Sequence, residues 1–107
     1  MRQDLQPVFR GLADPTRREL VALLSSDVHS ISSLAAQFPS SRNAIVKHLK
    51  VLEEGGIVGS YAEGTQKRHF LRPESLQPVH GWLSQYEAFW DAKLRQLKAS
   101  VEASHHE

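Results

Sequence analysis

Between Ser40 and Val58 the chain reads SSRNAIVKHLKVLEEGGIV, and the chemistry such residues can do is recognition of a polyanion. Arg42, Lys47 and Lys50 supply positive charge, Ser40 and Ser41 supply hydroxyls, and Asn43 supplies an amide. Arginine pairs with guanine and asparagine with adenine on the major-groove edges of DNA. Spacing separates these residues from a second set. Ile45, Leu49 and Leu52 fall at intervals of four and three, on one stripe of a 3.6-residue helix, whereas Arg42, Asn43, Val46, Lys47 and Lys50 lie largely off it. Ser40 or Ser41 can accept a hydrogen bond from a free first-turn N–H, and Gly55-Gly56 offers the left-handed conformation that commonly ends a helix. The positive end of that helix would attract phosphate. The plain alternative is an amphipathic helix with a solvated basic face.

Other chemistries lack their residues. No Ser/His/Asp arrangement, glycine-rich phosphate loop, HExxH motif or paired acids occurs, so no enzyme is expected. The absence of cysteine excludes disulfides, thiol redox sensing and thiolate metal sites.

With 107 residues the chain is expected to form one domain, with a modest core and any large apolar helix buried by dimerisation. No 18-residue apolar run occurs, and MRQDLQPVF lacks the apolar centre of a signal peptide. A soluble, unexported, cytoplasmic protein that does not enter membranes is therefore expected. The net charge of +1 is unevenly spread. Lys and Arg against Asp and Glu number four against four in residues 1–39, six against three in 40–72, and three against five in 73–107. The basic excess coincides with the recognition stretch and its neighbour.

The elements that must position this stretch can be read in order. Asp4, Leu5, Val8, Phe9 and Leu12 suggest a first helix of about two turns, with Pro7 in its first turn and a break over 11–14. Asp14-Pro15 starts a second helix with Leu20, Leu23 and Leu24 inward; Arg17 and Arg18 would be solvated or reach phosphate. After a polar connection over 25–30, Ser30 can cap a short helix containing Ile31, Leu34, Ala35 and Phe38, which Pro39 stops. That helix, a tight turn of about four residues and the basic helix make a helix-turn-helix. Residues 57–61 and 66–71 read as strands joined by Glu63-Gly64-Thr65, a hairpin or wing with Lys67 and Arg68 near its tip, placed for phosphate or the minor groove. His69 and Phe70 would pack the hairpin onto the helices.

A last helix is expected over about 75–103, with Pro78 in its first turn. Leu76, Val79, Leu83, Tyr86, Trp90, Leu94, Leu97 and Val101 recur at intervals of three and four, and Trp82 and Phe89 widen the stripe. About 28 residues would span about 42 Å, too long for so small a domain to cover. Pairing with a second copy is expected, the alternative being a ligand pocket lined by Trp82 and Phe89.

The chain resembles the ArsR-type winged-helix transcriptional repressors over nearly its whole length. The resemblance is carried by LADPTRREL (12–20), by SRNAIVKHLKVLEEGGIV (41–58) and by the wing that follows. It implies a homodimer, joined through the first and last helices, whose recognition helices enter successive major grooves of a pseudo-palindromic operator. It places Ser41, Arg42, Asn43, Val46 and Lys47 toward DNA, and Ile45, His48, Leu49 and Leu52 inward. Where the family often has serine, Val46 replaces a hydrogen bond with possible contact to a thymine methyl. The family's thiolate site would need cysteines where this chain has Ile31, Ser32 and Ser33. His80, Glu87, Asp91, His105 and His106 do not reproduce its second metal site, so the chain looks like a branch without metal sensing.

The expected architecture is thus mainly α with a small β-hairpin, a winged helix-turn-helix of about five helices and a two-stranded wing. Its recognition helix would span about 41–54, its wing 57–71 and its dimerisation helix 75–103. Double-stranded DNA would meet Ser40, Ser41, Arg42, Asn43, Val46, Lys47, Lys50, Lys67 and Arg68. Leu5, Val8, Phe9, Leu83, Tyr86, Trp90, Leu94 and Leu97 would form the dimer interface. No metal, cofactor or effector is assigned. The alternative function is a protein-interaction module with vestigial DNA binding.

Overall fold

The computed structural model describes residues 4–104. In chain order the elements are α1 (Gln6–Leu12), α2 (Pro15–Ser26), β1 (His29–Ser30), α3 (Ile31–Ala35), α4 (Arg42–Glu54), β2 (Val58–Glu63), β3 (Gln66–Leu71), a 3₁₀ turn (Pro73–Leu76), α5 (Gln77–Ser84) and α6 (Glu87–Ser104). This is the winged helix-turn-helix that the sequence suggests, with six α-helices among the described residues rather than about five.

Local chemistry explains most boundaries. Pro7 and Pro78 each sit in a first helical turn, where the missing N–H costs nothing. Asp14 caps α2 by accepting from the Arg17 backbone N–H at 3.1 Å, and Ser30 caps α3 by accepting from Ser33 N–H at 3.1 Å. Helix α3 stops at Ala35, short of Phe38 and Pro39, because Gln37 and Phe38 donate to carbonyls three residues back and tighten the chain into turns. Residues 36–41 then separate α3 from α4, a longer connection than the four expected.

The core lies where α1 to α4 meet the base of the hairpin. Leu20, Leu34, Ile45, Leu49, Leu52 and Ile57 are all at most 2% exposed, and Leu24, Val58 and Val8 join them. Each such side chain contributes roughly 1.5–3 kcal/mol by leaving water. Val8, expected at a subunit interface, is thus packed inside the single chain. It belongs to the buried cluster that α1 shares with α4, whereas Leu5 and Phe9 stay half-buried.

Two further expectations are corrected. The connection over 25–30 contributes a third strand: β1 pairs antiparallel with β3, His29 opposite His69 and Ser30 opposite Arg68, giving the sheet order β1-β3-β2. Two residues carry no alternation of their own, so only tertiary pairing creates this strand. The last helix is divided. Tyr86 N–H donates to Leu83 C=O, three residues back, and Gln85 has ψ −17°. The Ser84 hydroxyl donates to His80 C=O at 2.8 Å, the kind of back-bonding that bends helices. A 3₁₀ turn over Pro73–Leu76, rather than a side-chain cap at Glu74 or Ser75, leads into α5.

No residue of α5 or α6 is buried. The radius of gyration is 19.3 Å, against about 13 Å for a compact chain of this length. The helices form an arm, tied to α1 by an edge-on contact of Phe9 and Trp82 with ring centroids 5.4 Å apart.

Candidate nucleic-acid interface

Helix α4 is amphipathic in the way its sequence requires. Ile45, Leu49 and Leu52 are buried, while Arg42, Asn43, Val46, Lys47 and Lys50 form the exposed face. Ser41, rather than Ser40, is the N-cap, accepting from Ala44 N–H at 3.1 Å. No acidic residue occupies the first turn, so the positive end of the helix dipole is uncompensated there. At the other end Gly56 N–H donates to Glu53 C=O and Ile57 N–H to Leu52 C=O, with Gly56 at φ +73°. This is a Schellman motif, and its apolar pair is Leu52 and Ile57, both fully buried. The recognition helix is therefore fixed at both ends and along its inner stripe.

The basic face is partly engaged inside the protein. Arg42 Nη1 donates to Ser32 Oγ at 2.8 Å, which ties the start of α4 to α3. Asn43, Val46, Lys47 and Lys50 make no side-chain hydrogen bond or ion pair among the described residues.

The hairpin turns at Gly64-Thr65, between the paired residues Glu63 and Gln66. Gly64, at φ +61°, occupies the first central position, where a type II′ turn needs a positive φ. Strand alternation sends Lys67 and Arg68 to opposite faces, so they are not a joint basic tip. Arg68 Nε lies 2.9 Å from Glu63 Oε2, an ion pair on the outer face. Lys67 faces α4, its Nζ 4.0 Å from Glu53 Oε1, and lines a cleft of about 260 Å³ with Val46, Lys50, Glu53 and His69. The structure thus brings Val46, Lys50 and Lys67 to one concave surface and leaves Arg68 behind it.

His69 packs the hairpin onto the helices, as expected, at 2% exposure. Its Nε2 lies 3.2 Å from the buried Glu53 Oε1, in the geometry of a charge contact rather than an aligned hydrogen bond, and its Nδ1 has no partner among the described residues. Burial pushes the imidazole below its ordinary range; Glu53 opposes this and Lys67 adds to it. Phe70 packs differently, against Tyr61 and under the Arg72 guanidinium at 5.3 Å.

Arg17 and Arg18 both cap α1, Arg17 half-buried and Arg18 exposed to solvent as expected. Arg17 Nε donates to Gly11 C=O at 2.8 Å and Nη2 to Arg10 C=O at 3.0 Å, while Arg18 Nη1 donates to Leu12 C=O at 2.7 Å. Arg17 Nη1 also donates to His48 Nδ1 of α4 at 3.3 Å. Sequence reasoning missed this hub because backbone carbonyl acceptors have no sequence signature. The Arg17 backbone N–H, and secondarily the nearby His48 and Arg17 side chains, hold the Asp14 carboxyl below the usual carboxylate range.

Among the described residues no three His, Asp or Glu side chains converge as a metal site would need. His105 and His106 lie outside the described residues. No described helix is long and apolar enough to cross a membrane.

Comparison with known proteins agrees with this geometry. A family model described as a helix-turn-helix domain matches residues 12–59, which take in α2, α3 and α4. The chain is 33% identical to the HTH-type transcriptional regulator Rv2034 of Mycobacterium tuberculosis over 86 residues, 80% of this chain and 78% of that protein. It is 28% identical to the transcriptional repressor SdpR of Bacillus subtilis, over 71% of this chain and 84% of that one. The crystal structure of an ArsR family transcriptional regulator, RHA00566, superposes with TM-score 0.75 at 30% identity, covering 85% of this chain and 97% of its own. A capped basic helix beside a wing, on a chain with this degree of likeness, places the protein in the ArsR family of helix-turn-helix transcriptional regulators, whose members bind DNA and are not enzymes.

Proposed function

We propose that the chain acts as a homodimeric repressor that binds a pseudo-palindromic operator, its own promoter among the candidates, and blocks polymerase sterically. The observation that carries this reading is the exposed basic face of α4, set at an uncompensated helix N-terminus and continued by the cleft beside the wing. Ser41, Arg42, Asn43, Val46 and Lys47 would meet base edges and flanking phosphate in the major groove, with Ser40 and Lys50 at the margin. Lys67 would reach the backbone across the cleft, and Arg68, behind it, the minor groove.

The second copy is supported by the arm, whose Leu83, Tyr86, Phe89, Trp90, Leu94, Leu97 and Val101 are all 42% or more exposed. An apolar stripe of that length is too large to leave in water. Tyr86, Trp90, Leu94 and Leu97 would form the seam, Leu83 would extend it toward α1, and Leu5 and Phe9 would flank it. Repression is favoured by the likeness to SdpR. The dimer would work in the cytoplasm, with no membrane contact.

The test is a gel-shift assay at fixed salt. The double variant Arg42→Ala/Lys47→Ala should lose operator affinity by at least about tenfold, since each base or phosphate contact contributes about 1–3 kcal/mol of binding. Unchanged affinity would remove α4 as the reading element. Wild-type affinity should fall linearly in log–log form with salt, with a slope of about −0.9 per phosphate neutralised.

A further inference from the structure

Arg17 is the side chain at which three helices meet. Its guanidinium donates to Gly11 C=O at 2.8 Å, to Arg10 C=O at 3.0 Å and to His48 Nδ1 at 3.3 Å. A guanidinium only donates, so the neutral imidazole accepts at His48 Nδ1. The same nitrogen also lies 3.8 Å from Asp14 Oδ2 and turns to that carboxylate when protonated. The backbone of the same residue caps its own helix through Asp14. The fork therefore holds the C-terminal turn of α1 on one side and the middle of the recognition helix on the other.

Helix α1 is in turn fixed to the arm, because Phe9 packs edge-on against Trp82, and Trp82 against Tyr86 with centroids 5.6 Å apart. A continuous set of contacts thus runs from the arm through Phe9, the last carbonyls of α1 and Arg17 to His48 on α4. Arg17 is the polar link in this set, and a planar fork with several donors is what one residue needs to grip two helices at once.

We propose that Arg17 is a positioning residue: it sets the recognition helix against α1 and the arm, and so fixes the separation of the two recognition helices in the dimer. The inference rests on the dimeric reading above. A protomer binding one half-site does not need that separation. A dimer binding two half-sites does, because the second contact gains its effective concentration only if both helices arrive in register.

The chain has no cysteine, so one introduced by Glu54→Cys, at the exposed end of α4, gives a clean spin-label position. In the DNA-free dimer, electron–electron resonance should give one narrow distance distribution for the otherwise wild-type protein. Arg17→Ala and the milder His48→Leu should broaden it, and His48→Gln, which keeps an acceptor, should restore it. An unchanged distribution in both Arg17→Ala and His48→Leu would overturn the proposal.

Binding supplies the second arm, using a palindromic duplex selected from a randomised pool with wild-type protein and the same duplex with one half scrambled. Arg17→Ala should lose at least about tenfold on the palindrome and no more than about threefold on the single half-site. An equal loss on both duplexes, or a salt slope lowered by about 0.9 per protomer, would make Arg17 a phosphate ligand and overturn the proposal. If wild-type protein selects no duplex and binds none with salt dependence, the DNA-reading function itself fails. That outcome is distinct from a positioning failure, in which wild type binds and only the variants disagree. Circular dichroism and sedimentation on each variant verify that fold and dimer persist, and His48→Leu carries the test should Arg17→Ala unfold.

Discussion

Gly55 and Pro7 approach so closely that a β-carbon on the glycine would stand 2.7 Å from the proline carbonyl oxygen. The contact presses the end of the recognition helix against the start of α1. The adjacent Gly56 is glycine for a different reason: nothing lies within 4 Å of its missing β-carbon, but its φ is +73°. Gly55→Ala should therefore cost about 1–3 kcal/mol through displaced backbone. Gly56→Ala should cost about 1–2 kcal/mol through left-handed strain alone. Urea unfolding measures both. Equal, negligible losses would show that neither contact nor conformation constrains this junction.

The two faces of α4 should separate cleanly by experiment. Leu49→Ala opens a cavity under the helix and should cost roughly 2–5 kcal/mol of stability. Val46→Ala, three residues earlier on the exposed face, should stay within about 0.5 kcal/mol. On DNA the order reverses for base preference: Val46→Ala should weaken discrimination at one base pair, whereas Leu49→Ala, where still folded, should leave the preferred sequence alone. A Val46→Ala protein with unaltered base preference in a selection experiment would place that side chain off the DNA.

What could be read from the sequence depended on whether the cause was local. Helix α4 was legible because its stripe, its serine cap and its glycine stop all lie within its own nineteen-residue stretch. The hairpin was legible for the same reason, down to Gly64 in its turn. Strand β1 was not, because His29 and Ser30 become a strand only by pairing with His69 and Arg68 far along the chain. The division of the last helix was hidden because Leu83, Tyr86 and Trp90 continue the apolar period across it. What marks it is a three-residue backbone bond from Tyr86 to Leu83 beside a serine hydroxyl turned back on His80. Lys67 and Arg68 looked like a pair because they are adjacent; strand alternation sets them on opposite faces.

Acid should loosen the protein through His69. Its folded-state pKa is depressed, chiefly by burial, so between that value and the unfolded value near 6.5 the unfolded chain binds more protons. Stability is then fully present above about pH 6.5 and falls as the pH drops below it. Asp14 acts in the same direction at lower pH, since its depressed pKa gives stability present above 3.8 and lost as pH falls through the folded value. His69→Phe should flatten the urea midpoint between about pH 5.5 and 7 while leaving the acid limb set by carboxylates. If the variant keeps the wild-type slope across that window, His69 is not the group responsible.

Trp90 offers the sharpest test of the arm. It is 61% exposed in the single chain and touches Phe89 at 6.1 Å between centroids, with Leu94 and Leu97, at 58% and 63% exposure, on the same stripe. Trp82, by contrast, already packs on Phe9. A charge at Trp90 should therefore disrupt only the association of two chains, because no intrachain core is there to be damaged. Trp90→Glu should sediment as a monomer at micromolar concentration with its helix content little changed. Arg95→Glu, off the apolar stripe and donating to the Asp91 carbonyl of its own helix, should remain dimeric. A dimeric Trp90→Glu would show that the aromatic stripe is not the seam, and would move the search for the interface to α1, where Leu5 and Phe9 remain half-exposed.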